Sequence, residues 1–180
     1  MTEPTQPEPT LRDYRPHFDS DSDFDSEDWR AMHALDVVCF APPFRFSRRV
    51  MRRFAETPGA ITLLAEADGQ LAGFCIAHIG SKPIQDRQTG SQPIEARTAY
   101  VVTLDVAPAW RRKGLARRLM QQIESRAQAA GAQSMALHVF PGNVAALKLY
   151  EALGYERISV AVGFYGPGLD ALLYRKSLER

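Results

Sequence analysis

The chain has few of the residues and patterns that would identify a class of function directly. Cysteine is scarce, since only Cys39 and Cys75 occur among the 180 residues and both stand in apolar stretches. We therefore expect buried, reduced thiols and no disulfide framework. The four histidines are scattered, and no spacing of cysteine and histidine is typical of a zinc site. We accordingly expect no metal.

Long apolar runs and an excess of one charge are missing too. No stretch reaches the ~20 apolar residues that a membrane-spanning helix needs, and the acidic start of the chain does not resemble a signal peptide. The chain has 22 basic and 21 acidic residues and a net charge of +1. This balance gives no indication of a nucleic-acid or membrane partner. We therefore expect a cytoplasmic protein.

The composition predicts one folded domain preceded by a tail. Apolar residues make up 45% of the chain, enough for a full core. Residues 1–26 are rich in proline, threonine, aspartate and serine, and aspartate takes every second position of residues 19–25. Such a segment repels itself and buries little, so we expect a flexible acidic tail. Residues 27–180 are predicted to form a single α/β (α+β) domain.

Hydrophobic periodicity predicts the element order α-α-β-β-β-α-β-α-β-β within that domain. The predicted helices cover residues 27–40, 48–56, 115–130 and 143–153, and the predicted strands cover residues 61–67, 71–79, 99–106, 133–140, 155–164 and 170–178. Residues 80–97 show no period and are predicted to form a long loop. This order is not the strict strand–helix alternation of a doubly wound nucleotide-binding fold.

The segment from Arg111 to Ala116 carries the most information. It follows a predicted strand and opens a predicted helix, so the unpaired N–H groups and positive dipole end of that helix point to one place. Gly114 allows a ligand to approach the backbone, and Arg111, Arg112 and Lys113 add charge suited to phosphate oxygens. Neither G-x-G-x-x-G nor a Walker lysine is present. The pattern predicts a phosphorylated cofactor but no nucleotide-hydrolysing P-loop.

Two motifs resemble those of a known family. Residues 104–120 resemble the acetyl-CoA motif of the GNAT acyltransferase superfamily, whose core Arg/Gln-x-x-Gly-x-Gly/Ala is matched by Arg111, Gly114 and Ala116. Residues 143–155 resemble the second signature of the superfamily, from its asparagine to its final Gly-Tyr. Both motifs occur in the family's order, and the resemblance covers nearly the whole predicted domain.

The resemblance implies a fold and a cofactor. The GNAT fold is a mixed, mostly antiparallel sheet that splays open after the third predicted strand and is flanked by about four helices. The pantetheine arm of acetyl-CoA would enter that opening and pair with the strand backbone, while its pyrophosphate would lie on the amides of residues 112–116. One of Arg117 and Arg118 is also expected to reach a phosphate. The cofactor-binding residues that the resemblance implies are Leu104, Val106, Arg111, Arg112, Lys113, Gly114, Leu115, Ala116, Asn143 and Tyr150.

Other segments are similar to the protein N-terminal acetyltransferase branch of this superfamily. The segment Leu137-His138-Val139 and residues 164–175 carry the similarity. In that branch, bacterial ribosomal-protein alanine acetyltransferases usually have glutamate at the position of His138, whereas eukaryotic and archaeal types often have histidine. An aromatic pair near the last turn closes over the substrate N-terminus. The substrate-binding residues that follow are Phe40, Pro42, Phe44 and Tyr165.

The chemistry of acetyl transfer suggests roles for three residues. The reaction needs a neutral amine, and a free α-amine has a pKa of about 7.7–8.0 against about 10.4 for lysine. His138, with an ordinary pKa of about 6.5, is the candidate base, directly or through water. Tyr100 is expected to order a water or share the proton relay, and Tyr150 to protonate or hydrogen-bond the departing sulfur. A backbone N–H near Val106 is expected to hold the oxyanion.

Three functions stay open at this point. The first is transfer of acetyl from acetyl-CoA to a peptide or protein N-terminus by a monomer or weak dimer. The second is acetylation of a small amine such as a polyamine or antibiotic, for which we would expect carboxylates in the cleft. The third is a non-catalytic acetyl-CoA-binding module. Each candidate residue also has a structural alternative, which is that His138, Tyr100, Tyr150 and the apolar substrate residues are packing groups.

Overall fold

In the computed structural model, which describes residues 8–16, 27–80 and 97–178, a seven-stranded sheet carries helices on both faces. The strands are β1 (Thr10–Asp13), β2 (Ala60–Ala67), β3 (Gln70–Ile79), β4 (Thr98–Val106), β5 (Ser134–Val139), β6 (Glu156–Gly166) and β7 (Leu169–Ser177). The α-helices are α1 (Glu27–Cys39), α2 (Arg48–Glu56), α3 (Leu115–Ala129) and α4 (Val144–Ala152). The predicted element order from residue 27 onward is confirmed.

The strand order across the sheet is β1-β2-β3-β4-β5-β7-β6. Every neighbouring pair is antiparallel except β4 and β5, which run parallel because α3 forms the crossover between them. The sheet is therefore mixed and mostly antiparallel, as the resemblance implies.

Strand β1 corrects one prediction. A flexible tail over residues 1–26 is wrong for Thr10–Asp13, which pairs with β2 from Thr10 opposite Glu66 onward. Ion pairs anchor this short strand, because the Arg12 guanidinium donates to Asp28 at 2.7 Å and also to Glu66. A four-residue strand held by charge shows no hydrophobic period, so the sequence pattern does not reveal it. Residues 1–7, 17–26 and most of the predicted 80–97 loop lie outside the described residues.

Each face of the sheet has its own hydrophobic core. Helices α1 and α2 cover one face, and α3 and α4 cover the other. The first core includes Met32, Met51, Phe54, Phe74 and Ile76. The second includes Leu119, Met120, Ile123, Met135 and Leu137. The four-residue apolar spacing of α3 thus turns one side of that helix to the sheet, as predicted.

Helix ends follow local sequence signals. The Ser47 side chain accepts from the Val50 N–H at 3.4 Å and begins α2. That helix ends at Glu56 because Thr57 precedes a proline and is extended. Asn143 begins α4 by accepting from the Ala146 N–H at 3.2 Å, as predicted.

Strands β4 and β5 separate near their ends. Their pairing covers only Thr98–Val101 with Ser134–Leu137, although β4 continues to Val106 and β5 to Val139. An opening results between the ends of the two strands, next to the start of α3. The structure therefore has a splayed sheet at the strand where the resemblance implies one.

Candidate active site

The end of β4 presents backbone groups to this opening. The Ala107 N–H donates to the Ala72 carbonyl at 2.9 Å, and Gly73 is opposite Val106 in the next pair along. Antiparallel pairs alternate between exchanging and not exchanging hydrogen bonds, so the backbone of Val106 points away from β3. The same alternation turns the backbone of Leu104 toward the opening. Both residues that the resemblance implies for the pantetheine arm thus have backbone groups directed there.

The start of α3 has no side-chain cap. Gly114 occupies the N-cap position with φ 84°, no side chain accepts from the first-turn amides, and that turn holds no acidic residue. Among the residues that the structure describes, no side chain therefore accepts from these N–H groups or faces the positive end of the helix dipole as a cap. A Cβ on Gly114 would contact nothing within 4 Å, so glycine is needed for its positive φ. The first turn of α3 is suited to an anion.

Cations surround this turn, but they differ in where they point. The Arg111 Nε donates to the Val106 carbonyl at 3.0 Å, so its guanidinium turns back toward β4. The Lys113 ammonium lies 5.0 Å from the centre of the Trp110 ring. Arg112 is exposed and has φ 63°, a left-handed conformation that only a tight turn usually imposes on a side-chain-bearing residue.

Two further arginines differ from expectation. Arg117 donates to the Ala152 carbonyl at 3.5 Å, and Arg118 donates to the Pro9 carbonyl at 3.1 Å. Both guanidiniums are thus engaged by the chain's own groups. The prediction that one of them reaches a phosphate finds no support in this geometry. Arg118 instead ties α3 to the segment before β1.

Tyr100 and His138 meet across β4 and β5. The Tyr100 hydroxyl lies 3.0 Å from His138 Nδ1, and both side chains are partly buried. Burial raises the pKa of Tyr100 above its ordinary value, so the phenol keeps its proton at neutral pH. Burial also lowers the pKa of His138 to about 4, which keeps the imidazole neutral. The expectation of a histidine titrating near 6.5 is therefore wrong, because desolvation disfavours the charged ring.

His138 belongs to an aromatic cluster. The cluster consists of His138, Phe44, Phe140, Phe164 and Tyr165. The Phe164 ring stacks on the imidazole at 4.1 Å between centres with 14° between planes. Phe44 contacts both Phe140, at 4.7 Å, and Tyr165, at 5.0 Å. The cluster joins the loop before α2 to the hairpin of β6 and β7 above the opening.

The structure brings together some predicted substrate residues and leaves others aside. Phe44 and Tyr165 belong to the aromatic cluster, as predicted. Phe40 is half-buried, Pro42 is exposed, and no ring contact among the described residues joins Phe40 to the cluster. Phe140 is a member of the cluster that the sequence motifs do not indicate, although it lies two residues beyond His138 and therefore on the same side of the chain.

Carboxylates position the two loops that carry the cluster. Asp170 Oδ1 accepts from the Gly163 N–H at 2.8 Å, where the register between β6 and β7 shifts. Asp36 is fully buried on α1, and its Oδ2 accepts from the Phe46 N–H at 3.0 Å. Burial raises the pKa of Asp36 to about 6. The second oxygen of Asp36 has no hydrogen-bond partner among the described residues.

Tyr150 and Asn143 lie on the α4 side of the opening. Tyr150 is buried in the core shared with α3, edge-on to Tyr155 at 5.8 Å. Its hydroxyl makes no hydrogen bond to any residue that the structure describes. Burial raises the pKa of Tyr150, so its proton is retained at neutral pH. The Asn143 side chain is used as the N-cap of α4.

Residues 8–16, 27–80 and 97–178 show no sign of a metal site or a membrane-spanning helix. No three of their His, Cys, Asp or Glu side chains lie together as metal ligands would. None of their helices is long and apolar enough to cross a membrane.

Relatives of known sequence match part of the chain. An N-alpha-acetyltransferase from Saccharolobus solfataricus is 33% identical over 87 residues, which cover 48% of this chain and 52% of that relative. The chain spans about half the length of the curated relatives it matches, 41% and 52% for the first two.

Solved structures match nearly all of it. Ard1 from Thermoplasma volcanium has a TM-score of 0.73 at 16% identity, with 96% of this chain and 99% of that chain covered. Arabidopsis thaliana NAA60 in complex with acetyl-CoA has a TM-score of 0.72 at 20% identity, with 94% and 98% covered. At such identities the likeness shows the fold. The model of the acetyltransferase (GNAT) family matches residues 26–155. With a family match over more than half its length and the same splayed fold, the chain belongs to the GNAT acetyltransferase family.

Proposed function

We propose that this protein transfers the acetyl group of acetyl-CoA to the α-amine of a protein N-terminus. The observation that carries the proposal is the Tyr100–His138 pair, held beside an aromatic cluster at the opening of the sheet. Family membership supports acetyl transfer, and the similarity to an N-alpha-acetyltransferase supports the α-amine as acceptor.

The donor fits the groups around the opening. The uncapped first turn of α3 offers N–H groups to a pyrophosphate, and exposed Arg112 and Lys113 stand beside it. The backbone of Leu104 and Val106 can pair with an amide-bearing arm as an added strand would. Asn143 and Tyr150 border the opening from α4. Arg111 contributes by holding the Val106 carbonyl, which orients that residue's N–H.

An α-amine is the acceptor that this site favours chemically. At pH 7 its pKa of about 7.7–8.0 leaves roughly 10% of it neutral, whereas lysine at about 10.4 is neutral about 250-fold more rarely. The neutral His138 cannot readily deprotonate an ammonium whose pKa lies about four units higher. Once the amine nitrogen bonds to the thioester carbon, however, that nitrogen becomes strongly acidic. His138 then accepts its proton, directly or through one water.

The remaining groups complete the transfer. Formation of the new N–C bond places negative charge on the thioester oxygen, to which the Val106 N–H would donate. Breaking the C–S bond leaves a thiolate that needs a proton or a hydrogen bond. Because burial raises the pKa of the Tyr150 hydroxyl, that group keeps its proton and would supply the hydrogen bond, and the thiolate would take its proton from solvent.

The aromatic cluster suits a peptide start better than a polycation. None of its five members carries a carboxylate, and the buried Asp36 is 0% exposed and therefore closed to an acceptor. Phe44, Phe140 and Tyr165 offer apolar surface to the first side chain of a peptide.

The test compares matched acceptors. Purified protein with acetyl-CoA is given short peptides that have free N-termini, and the same peptides with blocked N-termini and free lysines, while thiol release and mass gain are followed. We expect rapid release with free N-termini only. Equal rates on both sets would refute the α-amine assignment, and no release with either set or with small amines would refute acetyl transfer.

A further inference from the structure

An arginine face lies next to the aromatic cluster. It consists of Arg45, Arg48, Arg49, Arg52 and Arg53, all exposed. Residues 45–56 hold these five arginines and a single acid, Glu56, so their net charge is +4, whereas the whole chain carries +1. More than a fifth of the chain's basic residues are thus concentrated in twelve positions.

The geometry of α2 gathers these charges on one side. Met51, Phe54 and Ala55 are buried against the sheet. Positions three and four apart share a side of a helix, so Arg48 and Arg52 form one row and Arg49 and Arg53 the next, opposite the buried side. The face is about 13 Å long, given nine helical residues.

The Arg48 guanidinium lies 5.9 Å from the centre of the Trp29 ring, and that of Arg53 lies 5.4 Å from the centre of the Phe54 ring, but the charges in the first turn are unfavourable for the helix. Like charges four residues apart destabilise a helix, and Arg48 and Arg49 sit at the positive end of the helix dipole with no acid in the first turn. Only Arg52 has an ion pair within the described residues, to Glu56 at 3.1 Å. An anionic partner would remove this repulsion.

The arginine face begins where the aromatic cluster ends. Phe44 belongs to the cluster, and Phe46 packs edge-on against Phe54 of α2 at 5.3 Å. Arg45 stands between them, so an extended chain leaving the cluster meets Arg45 first and then the first turn of α2. Extended peptide rises about 3.3 Å per residue, so four residues span the face.

We propose that the arginine face docks an acidic segment of the acceptor protein, roughly its fourth to seventh residues. This inference rests on the proposed function, since it assumes a protein N-terminus in the cluster. Guanidinium groups recognise carboxylates by charge-assisted hydrogen bonds, and exposed pairs act mainly on encounter and affinity. The preference should therefore appear in KM and leave kcat nearly unchanged.

The test uses peptides that share their first three residues and differ afterwards by Glu against Gln. With wild-type protein at about 50 mM salt, we expect about tenfold higher kcat/KM for the Glu peptide, or about 1.4 kcal/mol, and under twofold in about 0.5 M salt. The double variant Arg45→Gln/Arg49→Gln should lose the preference while acetylating the Gln peptide normally. Arg157→Gln, at an exposed arginine of β6, is the matched control and should keep it.

Several outcomes would overturn this docking surface. One is equal kcat/KM for both peptides, and another is a preference that survives in the double variant. If the preference for the Glu peptide appears only after Asp19, Asp21, Asp23 and Asp25 are changed to Asn, the arginine face binds the chain's own acidic segment. The face would belong to a nucleic-acid partner if the wild type binds an RNA oligonucleotide at physiological salt, the double variant does not, and the wild type shows no peptide preference. Failure to acetylate even the Gln peptide would instead refute the proposed function.

Discussion

Replacement of the Tyr100 hydroxyl should lower activity only through His138. Tyr100→Phe removes one hydrogen bond, made at 3.0 Å to His138 Nδ1. A neutral hydrogen bond contributes about 1 kcal/mol, so kcat/KM should fall about fivefold. His138→Phe keeps a ring against Phe164 but removes the base, and a positioned base contributes about 10²–10⁴-fold. The double variant should be no slower than His138→Phe alone.

The two single variants and the double variant form a double-mutant cycle, which is measured by thiol release with a free-N-terminus peptide at saturating acetyl-CoA. Tyr155→Phe is the matched control, because its hydroxyl contacts Met135 Sδ in the core at 3.7 Å, and it should retain wild-type kcat. An additive double variant, another fivefold slower, would refute the relay. The pH profile gives a second check. Because the pKa of His138 is lowered to about 4, wild-type kcat/KM should rise with the amine pKa near 8 and show no step near 6.5.

Two further perturbations test other parts of the structure. Gly114→Ala and the matched Gly131→Ala both place a side chain at positive φ in open space, so each should lower Tm by about 2–4 °C. Only Gly114→Ala should also raise KM for acetyl-CoA. An equal KM in both variants would contradict the α3 anion site. Asp36→Asn should remove a pH dependence: the folded wild type keeps a proton up to about pH 6 that the unfolded chain releases near 3.8, so its unfolding free energy falls by about 3 kcal/mol across that window. Chemical denaturation at pH 4 and pH 7 measures this, and the same wild-type-minus-variant difference at both would contradict it.

Local signals predicted the elements that depend on local interactions. The predicted bounds of α2, residues 48–56, are correct because a proline follows Thr57, and the apolar spacing of α3 places that helix on the sheet. The two motifs identified the opening beside β4 because they encode a tight turn and a capped helix, both of which are formed by neighbouring residues. The contact between Tyr100 and His138 joins residues 38 positions apart, which local signals do not reveal.

The pattern of a single sequence does not reveal contacts between residues that are distant along the chain. Strand β1 is held by ion pairs to residues far along the chain, and Phe140 gains its place through Phe44, nearly a hundred positions away. The pKa of His138 depends on burial by residues distant in the sequence, such as Phe164, whose ring stacks on the imidazole, so the sequence alone offers only the ordinary value. Arg117 and Arg118 fit a phosphate by position, but packing gives both of them other acceptors.

The ion-paired N-terminal strand has a consequence for the association of molecules. Within the described sheet, β1 covers the outer edge of β2, a strand with the fully buried run Leu63, Leu64 and Ala65. A shortened chain beginning at Glu27 would leave that edge with unpaired N–H and C=O groups next to an apolar surface. Such an edge is a template for strand addition by a second molecule. Truncation at the predicted domain boundary, residue 27, would thus expose an edge of β2 that promotes self-association.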